Sequence, residues 1–101
     1  GVYNKDEVYE YMLQLVTATR AHQPIEKGAS PRATIAMVKM ARAAAWLNGR
    51  DYVTPADVKT QFPYVINHRI SLNTSAKMGG VDKLQIIQDI LQSVKQPPMG
   101  E

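Results

Sequence analysis

The residue with the clearest capacity for chemistry is Arg32, which follows Ser30 and Pro31 at the predicted start of a helix. Serine is a favoured N-cap, and proline suits the first helical position because its missing N–H would have no partner there. The helix dipole disfavours a cation at this end by about 0.3–1 kcal/mol, so stability alone does not explain an arginine. A guanidinium beside free helix N–H groups suits an anion such as phosphate. The alternative is an exposed arginine in a surface ion pair, which contributes little.

The 101 residues lack the patterns of a self-contained enzyme. No G-x-x-x-x-G-K-[ST] phosphate loop occurs, and Gly79-Gly80 is too short to replace it. The serines fall at predicted caps and loops, and the acidic residues are scattered rather than paired. With no cysteines and only two histidines, His22 and His68, neither a disulfide nor a metal site is expected. We therefore predict that this chain alone is not an enzyme.

A basic strip is predicted on the helix that follows Arg32, where Lys39 and Arg42 lie beside Trp46 and Arg50 lies just beyond. Cations next to an aromatic ring can bind nucleic acid through phosphate contacts and base stacking. This gives an alternative function, a stand-alone helical nucleic-acid-binding module. We favour a different interpretation of Trp46, in which its side chain packs in the core. The formal net charge of +3 is too small to indicate nucleic acid by itself.

Cations also lie near two other predicted helix ends. Arg20 and His22 follow the first helix, where a positive charge interacts favourably with the dipole. Capping is the main interpretation there, and a position facing a nucleotide is the alternative. His68 and Arg69 lie near the end of a later helical segment, and we assign them a structural role.

Caps and apolar periodicity predict two long helices in the first half of the chain. Asn4 is an N-cap for a helix over residues 4–21, before Pro24 prevents its continuation. The second helix is predicted over residues 31–48, with Gly49 after its end. Because this helix is apolar nearly all round, we expect it in the middle of a bundle.

The predicted elements of the second half are shorter. Thr54 caps a helix over residues 55–61, and another short helix begins at Pro63. Residues 50–53 have an extended pattern, and residues 70–72 alternate in a way that would let them pair with this segment. The prediction is a minimal two-stranded sheet.

A loop over residues 73–80 and a last helix over residues 81–94 complete the expected elements. No apolar run approaches the ~20 residues that span a bilayer. The first residues also lack the order of a signal peptide. We predict a mostly all-α fold, a small bundle of about four to five helices. It would span residues 1–101 as a single domain of a cytoplasmic protein without membrane insertion.

Four stretches of the sequence share their order and spacing with one known family. They are Leu-Val-Thr-Ala-Thr-Arg at 15–20, Gly-Ala-Ser-Pro-Arg-Ala at 28–33, Gly-Arg-Asp-Tyr-Val-Thr-Pro-Ala-Asp-Val at 49–58 and Val-Ile-Asn-His-Arg-Ile at 65–70. Together they resemble the C-terminal lid domain of MoxR-type AAA+ ATPases. The second stretch resembles the element that opens a lid helix in that family, and the resemblance covers about residues 8–94.

The resemblance implies that Arg32 is the sensor-2 arginine, which reaches the γ-phosphate when the lid closes over ATP. It implies ATP and Mg²⁺ as ligands of a parent protein, held by an upstream α/β core and not tightly by this fragment. It further implies ATP hydrolysis coupled to chaperone-like remodelling. The implied partners are that core, neighbouring subunits of a hexameric ring and von Willebrand-type proteins, with nucleic acid not expected. The residues implied to lie near the nucleotide are Gly28, Ala29, Ser30, Pro31, Arg32 and Arg20.

Overall fold

The computed structural model describes residues 3–99, within which there are five helices and two short strands. In chain order these are α1 (Lys5–Ala18), β1 (Ile25–Lys27), α2 (Ala33–Leu47), α3 (Pro55–Ile66), β2 (Ser71–Leu72), α4 (Thr74–Met78) and α5 (Lys83–Ser93). The predicted fold class, a small helical bundle with a minimal strand pair, is confirmed. Residues 1, 2, 100 and 101 of the predicted domain lie outside the described residues.

Helices α1, α2, α3 and α5 pack around one apolar core. Helix α2 contacts α1 and α3, and helix α5 contacts the same two helices. The largest fully buried side chains come from all four helices and include Tyr11, Leu15, Met37, Phe62 and Ile87. Since burying an apolar side chain of this size stabilises a fold by about 1.5–3 kcal/mol, these contacts hold the helices together.

Short polar side chains cap four of the five helix N-termini within residues 3–99, and α2 is the exception. Asn4 Oδ1 accepts hydrogen bonds from the N–H groups of Asp6 and Glu7, at 2.9 and 3.1 Å. Thr54 forms a reciprocal capping box with Asp57 at the start of α3. These two caps lie where the sequence predicts them, because a capping side chain acts on N–H groups only two or three residues away.

Several of the predicted helix boundaries are wrong. Helix α1 ends at Ala18, before the expected residue 21, and turns follow it. The two short helices predicted around Pro63 are the single helix α3. Phe62 and Ile66 are fully buried, and their packing offsets the ~3 kcal/mol that a proline costs inside a helix. The predicted loop over 73–80 contains the one-turn helix α4.

The strand pair forms with a different partner from the one predicted. Strand β2 pairs antiparallel with β1, so that Leu72 lies opposite Ile25. Asn73 extends the pairing, because its N–H donates to Pro24 O at 2.8 Å. The expected partner, residues 50–53, is an irregular loop. Prediction of β1 fails because it is three residues long and buries only Ile25.

An ion pair holds the loop between α2 and α3. Arg50 donates two hydrogen bonds to the carboxylate of Asp57, Nη1 to Oδ2 at 2.6 Å and Nη2 to Oδ1 at 2.8 Å. Nη1 also donates to Tyr52 O at 3.2 Å. These hydrogen bonds stabilise residues 50–53 as a compact loop and not as a strand. The hydrogen bonds from Arg50 lower the pKa of Asp57, and the Thr54 N–H adds to this effect against an opposing contribution from burial.

Asp57→Asn is expected to reduce the free energy of unfolding by about 1–2 kcal/mol at neutral pH, since it weakens a helix cap and removes the ion pair. A lowered pKa in the folded state means that the charged carboxylate stabilises the fold above the ordinary aspartate pKa of about 3.9. This contribution is lost as the pH falls through the lowered value. Urea unfolding at pH 7 and at pH 2.5 should therefore show a difference between wild type and variant that shrinks in acid.

The matched control for this prediction is Asp51→Asn, which changes an exposed carboxylate in the same loop. Its effect should be small at both pH values, as is usual for surface substitutions. A destabilisation by Asp57→Asn that is equally large at pH 2.5 would contradict an electrostatic role for Asp57.

Candidate functional site

The connection between β1 and α2, residues 28–32, is attached to the end of α1 by a buried hydroxyl. Thr19 is fully buried, and its Oγ1 donates to Val16 O at 2.6 Å. The same oxygen accepts a hydrogen bond from the N–H of Ala29 at 2.9 Å. Ala29 is itself fully buried in the core. The start of the connection is therefore fixed against the helix that precedes it.

Gly28 allows the connection to pass directly over Arg20. A Cβ at position 28 would lie 2.5 Å from Arg20 Cγ, 2.7 Å from its Cα and 2.8 Å from its N. These separations are too short for any side chain, so the site needs glycine for space. Arg20 is exposed and follows α1, and its backbone lies directly against Gly28.

Helix α2 begins two residues later than predicted, at Ala33, and Arg32 is its N-cap with φ −63° and ψ −20°. Ser30 is therefore not the N-cap that was predicted, and its Oγ accepts from the N–H of Arg32 at 3.2 Å within the turn that precedes the helix. Its carbonyl accepts from Ala33 N at 2.9 Å, and Pro31 O accepts from Thr34 N at 3.1 Å. The expectation of free N–H groups beside Arg32 is wrong, since this tight turn uses them. An anion bound here would therefore be held by the Arg32 side chain and not by backbone N–H groups.

The Arg32 side chain is exposed, and within residues 3–99 it takes part in no ion pair. The surface ion pair considered as an alternative role for Arg32 therefore has no counterpart in this part of the chain. A guanidinium fork that the fold leaves free can donate two parallel hydrogen bonds to a phosphate or carboxylate. The anchored connection presents this fork at the start of α2.

The remaining predicted cations do not converge on one described cluster. Arg69 donates from Nη1 to Val65 O at 3.1 Å and so satisfies a carbonyl at the end of α3. His68 is exposed and lines a groove between α3 and α5. The backbone carbonyl of His22 accepts from Ile25 N at 3.0 Å in the turn before β1. The structure gives these three residues no shared chemistry.

Helix α2 does not lie in the middle of the bundle, and Trp46 is not a core residue. The Trp46 side chain is 74% exposed, and Ile35 and Leu47 are 59% and 79% exposed. The helix buries the face that carries Ala33, Ala41 and Ala45, because small residues let α1 and α3 pack closely against it. Lys39 and Arg42 are exposed with Trp46, so the predicted basic strip faces outward.

The described residues provide no metal site of their own. No group of three His, Cys, Asp or Glu side chains in residues 3–99 is arranged to hold a metal ion. An exposed guanidinium such as that of Arg32 can donate to phosphate oxygens, whereas Mg²⁺ prefers oxygen ligands, for which the described residues hold no cluster. None of the helices in the described part of the chain is long and apolar enough to cross a membrane.

Sequence reasoning overlooked Thr19 and Gly28 as the residues that position the connection. Thr19 fits the apolar stripe of α1, so nothing local marks its hydroxyl as a contact to residue 29, ten positions away. A buried threonine directly after a helix, followed nine residues later by glycine, is the pattern that would have identified them.

Comparison with known proteins places the whole of this site inside one family pattern. The AAA lid domain family matches residues 17–90. YeaC of Bacillus subtilis, an uncharacterized protein, is 39% identical over 92 residues, which cover 91% of this chain and 29% of that protein. Chaperone MoxR1 of Mycobacterium tuberculosis is 34% identical over 100 residues, covering 90% of this chain and 26% of that one. Protein MoxR of Methylorubrum extorquens is 39% identical over 70 residues, covering 69% and 20%.

A solved structure has the same fold. The crystal structure of a candidate ATPase from Cytophaga hutchinsonii superposes with a TM-score of 0.86 at 36% sequence identity, covering 96% of this chain and 32% of that one. The chain thus spans between about a fifth and a third of the length of these relatives. It belongs to the AAA lid domain family, in the form found in MoxR-type proteins.

Proposed function

We propose that this chain is the lid of a AAA+ ATPase, and that Arg32 contacts the γ-phosphate of ATP bound to the rest of the parent protein. The observation that carries this proposal is an exposed guanidinium, unpaired within residues 3–99, at the end of an anchored connection. A cation at a helix start does not stabilise this fold. Binding a nucleotide phosphate would explain why an arginine is found there.

The role of Arg32 follows from the geometry of its fork. Two N–H groups of a guanidinium can bond two oxygens of the terminal phosphate, and both bonds end when that phosphate leaves. The lid would therefore be held closed by ATP and released after hydrolysis, which converts the chemical step into a domain movement. Since the backbone N–H groups of this turn are already bonded, the isolated chain should bind ATP only weakly.

The activity of the parent protein is part of the same proposal. The relative from Mycobacterium tuberculosis is named a chaperone, and this supports a chaperone-like remodelling role. We propose a ring of subunits, a hexamer by analogy with the superfamily, in which the movement of one lid acts on its neighbour. Proteins with von Willebrand-type domains are proposed partners.

Arg32→Ala in the full-length ATPase is expected to lower the preference for ATP over ADP by about 10- to 100-fold, because a hydrogen bond to a charged group is worth about 1.5–3 kcal/mol. Calorimetric titration with a non-hydrolysable ATP analogue and with ADP measures this ratio. The affinity for ADP should stay constant, since ADP lacks the phosphate that Arg32 contacts.

Lys59→Ala is the control for this titration, because Lys59 is an exposed cation on α3, away from the connection. Its ratio of affinities should equal that of the wild type. If Arg32→Ala lowers the affinity for both nucleotides equally, Arg32 contacts another part of the nucleotide and the proposed contact with the γ-phosphate is wrong.

A further inference from the structure

A groove runs between α3 and α5, in a part of the molecule that the proposed nucleotide contact does not use. We call it the α3–α5 groove. It has a volume of about 1060 Å³ and is lined by α3, by α5 and by the segment that follows α5, residues 94–96. None of residues 28–32 lines it. The groove is therefore separate from Arg32, and Lys59 on its wall remains a suitable control for nucleotide binding.

The two helices that form the walls run in opposite directions. Lys83, at the start of α5, donates from Nζ to Asn67 O at 2.9 Å and to Ile70 O at 3.2 Å, at the end of α3. The segment after α5 consequently returns to the start of α3, where Lys95 and Lys59 line the same groove. Two cations therefore lie at one end of the α3–α5 groove.

The α3–α5 groove exposes apolar side chains from both helices. Tyr64 on α3 is 72% exposed, and Leu84 on α5 is 54% exposed. Pro63 and Val94 also line the groove and are half-buried. Burial of apolar surface is favourable, so these side chains would stabilise a complex that covers them. Apolar side chains gathered in a concave surface are typical of an interaction site.

The polar residues of the α3–α5 groove carry no negative charge. Lys59, His68 and Lys95 line it, and no aspartate or glutamate within residues 3–99 does. The rest of its polar rim includes three exposed glutamines, Gln88, Gln92 and Gln96. The complementary surface is a stripe of apolar side chains flanked by carboxylates. Nucleic acid would satisfy the cations but would leave Leu84 and Pro63 without an apolar partner.

We propose that the α3–α5 groove binds an acidic amphipathic helix of another protein, which is neither the parent polypeptide nor a second copy of this chain. A helix of about three turns matches the α3 wall, which is about 14 Å long over residues 59–68 at 1.5 Å per residue. The apolar stripe of this helix covers Tyr64 and Leu84. Its carboxylates accept hydrogen bonds from Lys59 and Lys95.

The extent of the family match favours a separate protein as the partner. The AAA lid domain family matches residues 17–90, whereas Leu91, Gln92 and residues 94–96, which line the groove, lie beyond that segment. A surface by which every lid contacts its own parent protein or the next subunit is expected within the shared segment. The lysine end of the α3–α5 groove depends on residues outside it, as a surface for a more specialised partner would.

Binding of a labelled synthetic peptide tests the proposal. The probe is a helical peptide of about four turns with leucines along one face and glutamates along the other. In one control peptide serines replace the leucines, and in a second control peptide lysines replace the glutamates. Fluorescence anisotropy measures the binding of each peptide to the full-length protein and to the 101-residue chain.

The peptide with leucines and glutamates is expected to bind both proteins, and neither control peptide should bind. Tyr64→Ser and, separately, Lys95→Glu should weaken binding about tenfold, since aromatic anchors and charge pairs dominate such interfaces. Trp46→Ser and Lys39→Glu are matched changes of an exposed aromatic residue and an exposed cation on α2. They should leave the affinity unchanged.

Four results would overturn the proposal. Binding to the 101-residue chain but not to the full-length protein would show that the parent polypeptide or a neighbouring subunit covers the groove. Equal binding of either control peptide, or an equal loss in Trp46→Ser, would show that recognition does not depend on the charge and shape of the α3–α5 groove. Displacement of the probe by single-stranded oligothymidylate would indicate nucleic acid instead. Absence of binding by the probe would remove the site altogether.

Discussion

In the full-length protein, which we propose to be an ATPase, Arg32→Ala is expected to lower the rate of ATP hydrolysis at saturating ATP and Mg²⁺ about 100-fold, because removing one preorganised donor to the developing charge costs about that factor. Nucleotide binding should survive, since most contacts with the nucleotide would belong to the rest of the protein. Steady-state release of phosphate, measured on the wild type and the variant, tests this expectation.

Two further variants separate the fork of Arg32 from its charge. Arg32→Lys keeps the positive charge but loses the planar pair of donors, so its rate should lie between those of wild type and Arg32→Ala. Lys59→Ala removes an exposed cation on α3 and should hydrolyse ATP at the wild-type rate. An unchanged rate in Arg32→Ala would show that Arg32 takes no part in hydrolysis. The family relationship would then indicate the fold only.

The parts of the fold that were predictable depend on neighbouring residues in the chain. Asn4 and Thr54 cap helices over distances of two or three residues, which the sequence shows directly. The stretch from Gly28 to Arg32 was also recognisable, because its residue types follow one another without a gap. In both cases the informative contacts are local.

The packing of α2 was not predictable from its own residues. The helix has apolar side chains nearly all round, so periodicity permits either face to be buried. Which face of α2 is buried depends on how closely α1 and α3 approach it. The alanine face around Ala41 allows the closer contact. Trp46 is consequently outside, although a tryptophan in an alanine-rich helix is more often buried.

The contacts that position Arg32 were not predictable from the sequence for a related reason. The hydrogen bond from Ala29 to Thr19 joins residues ten positions apart, and the contact of Gly28 with Arg20 joins residues eight apart. Both contacts arise only once the chain has turned back on itself through β1. The sequence therefore indicates Arg32 as a candidate but does not indicate the residues that position its connection.

Gly28→Ala is expected to lower the free energy of unfolding of the 101-residue chain by about 1–3 kcal/mol, the usual effect of overpacking. The new Cβ would lie within 3 Å of the Cα and N of Arg20, so one of two backbone segments must move. Because the same connection carries Arg32, the displacement should also slow ATP hydrolysis by the full-length protein. Urea unfolding measures the first effect and phosphate release the second.

Gly79→Ala is the matched control, since a Cβ there would lie 3.3 Å from Ser75 O, a contact that a small shift relieves. A Cβ there meets only Ser75 O and Ala76 O within 4 Å and no atom of residues 28–32, so it should leave hydrolysis unchanged. Thr19→Ser keeps the hydroxyl that holds Ala29 and Thr19→Val removes it, so only the second should resemble Gly28→Ala in slowing hydrolysis. If Gly28→Ala destabilises the chain but hydrolysis keeps its wild-type rate, the connection supports the fold alone. If both effects appear, the space at Gly28 is what fixes the arginine.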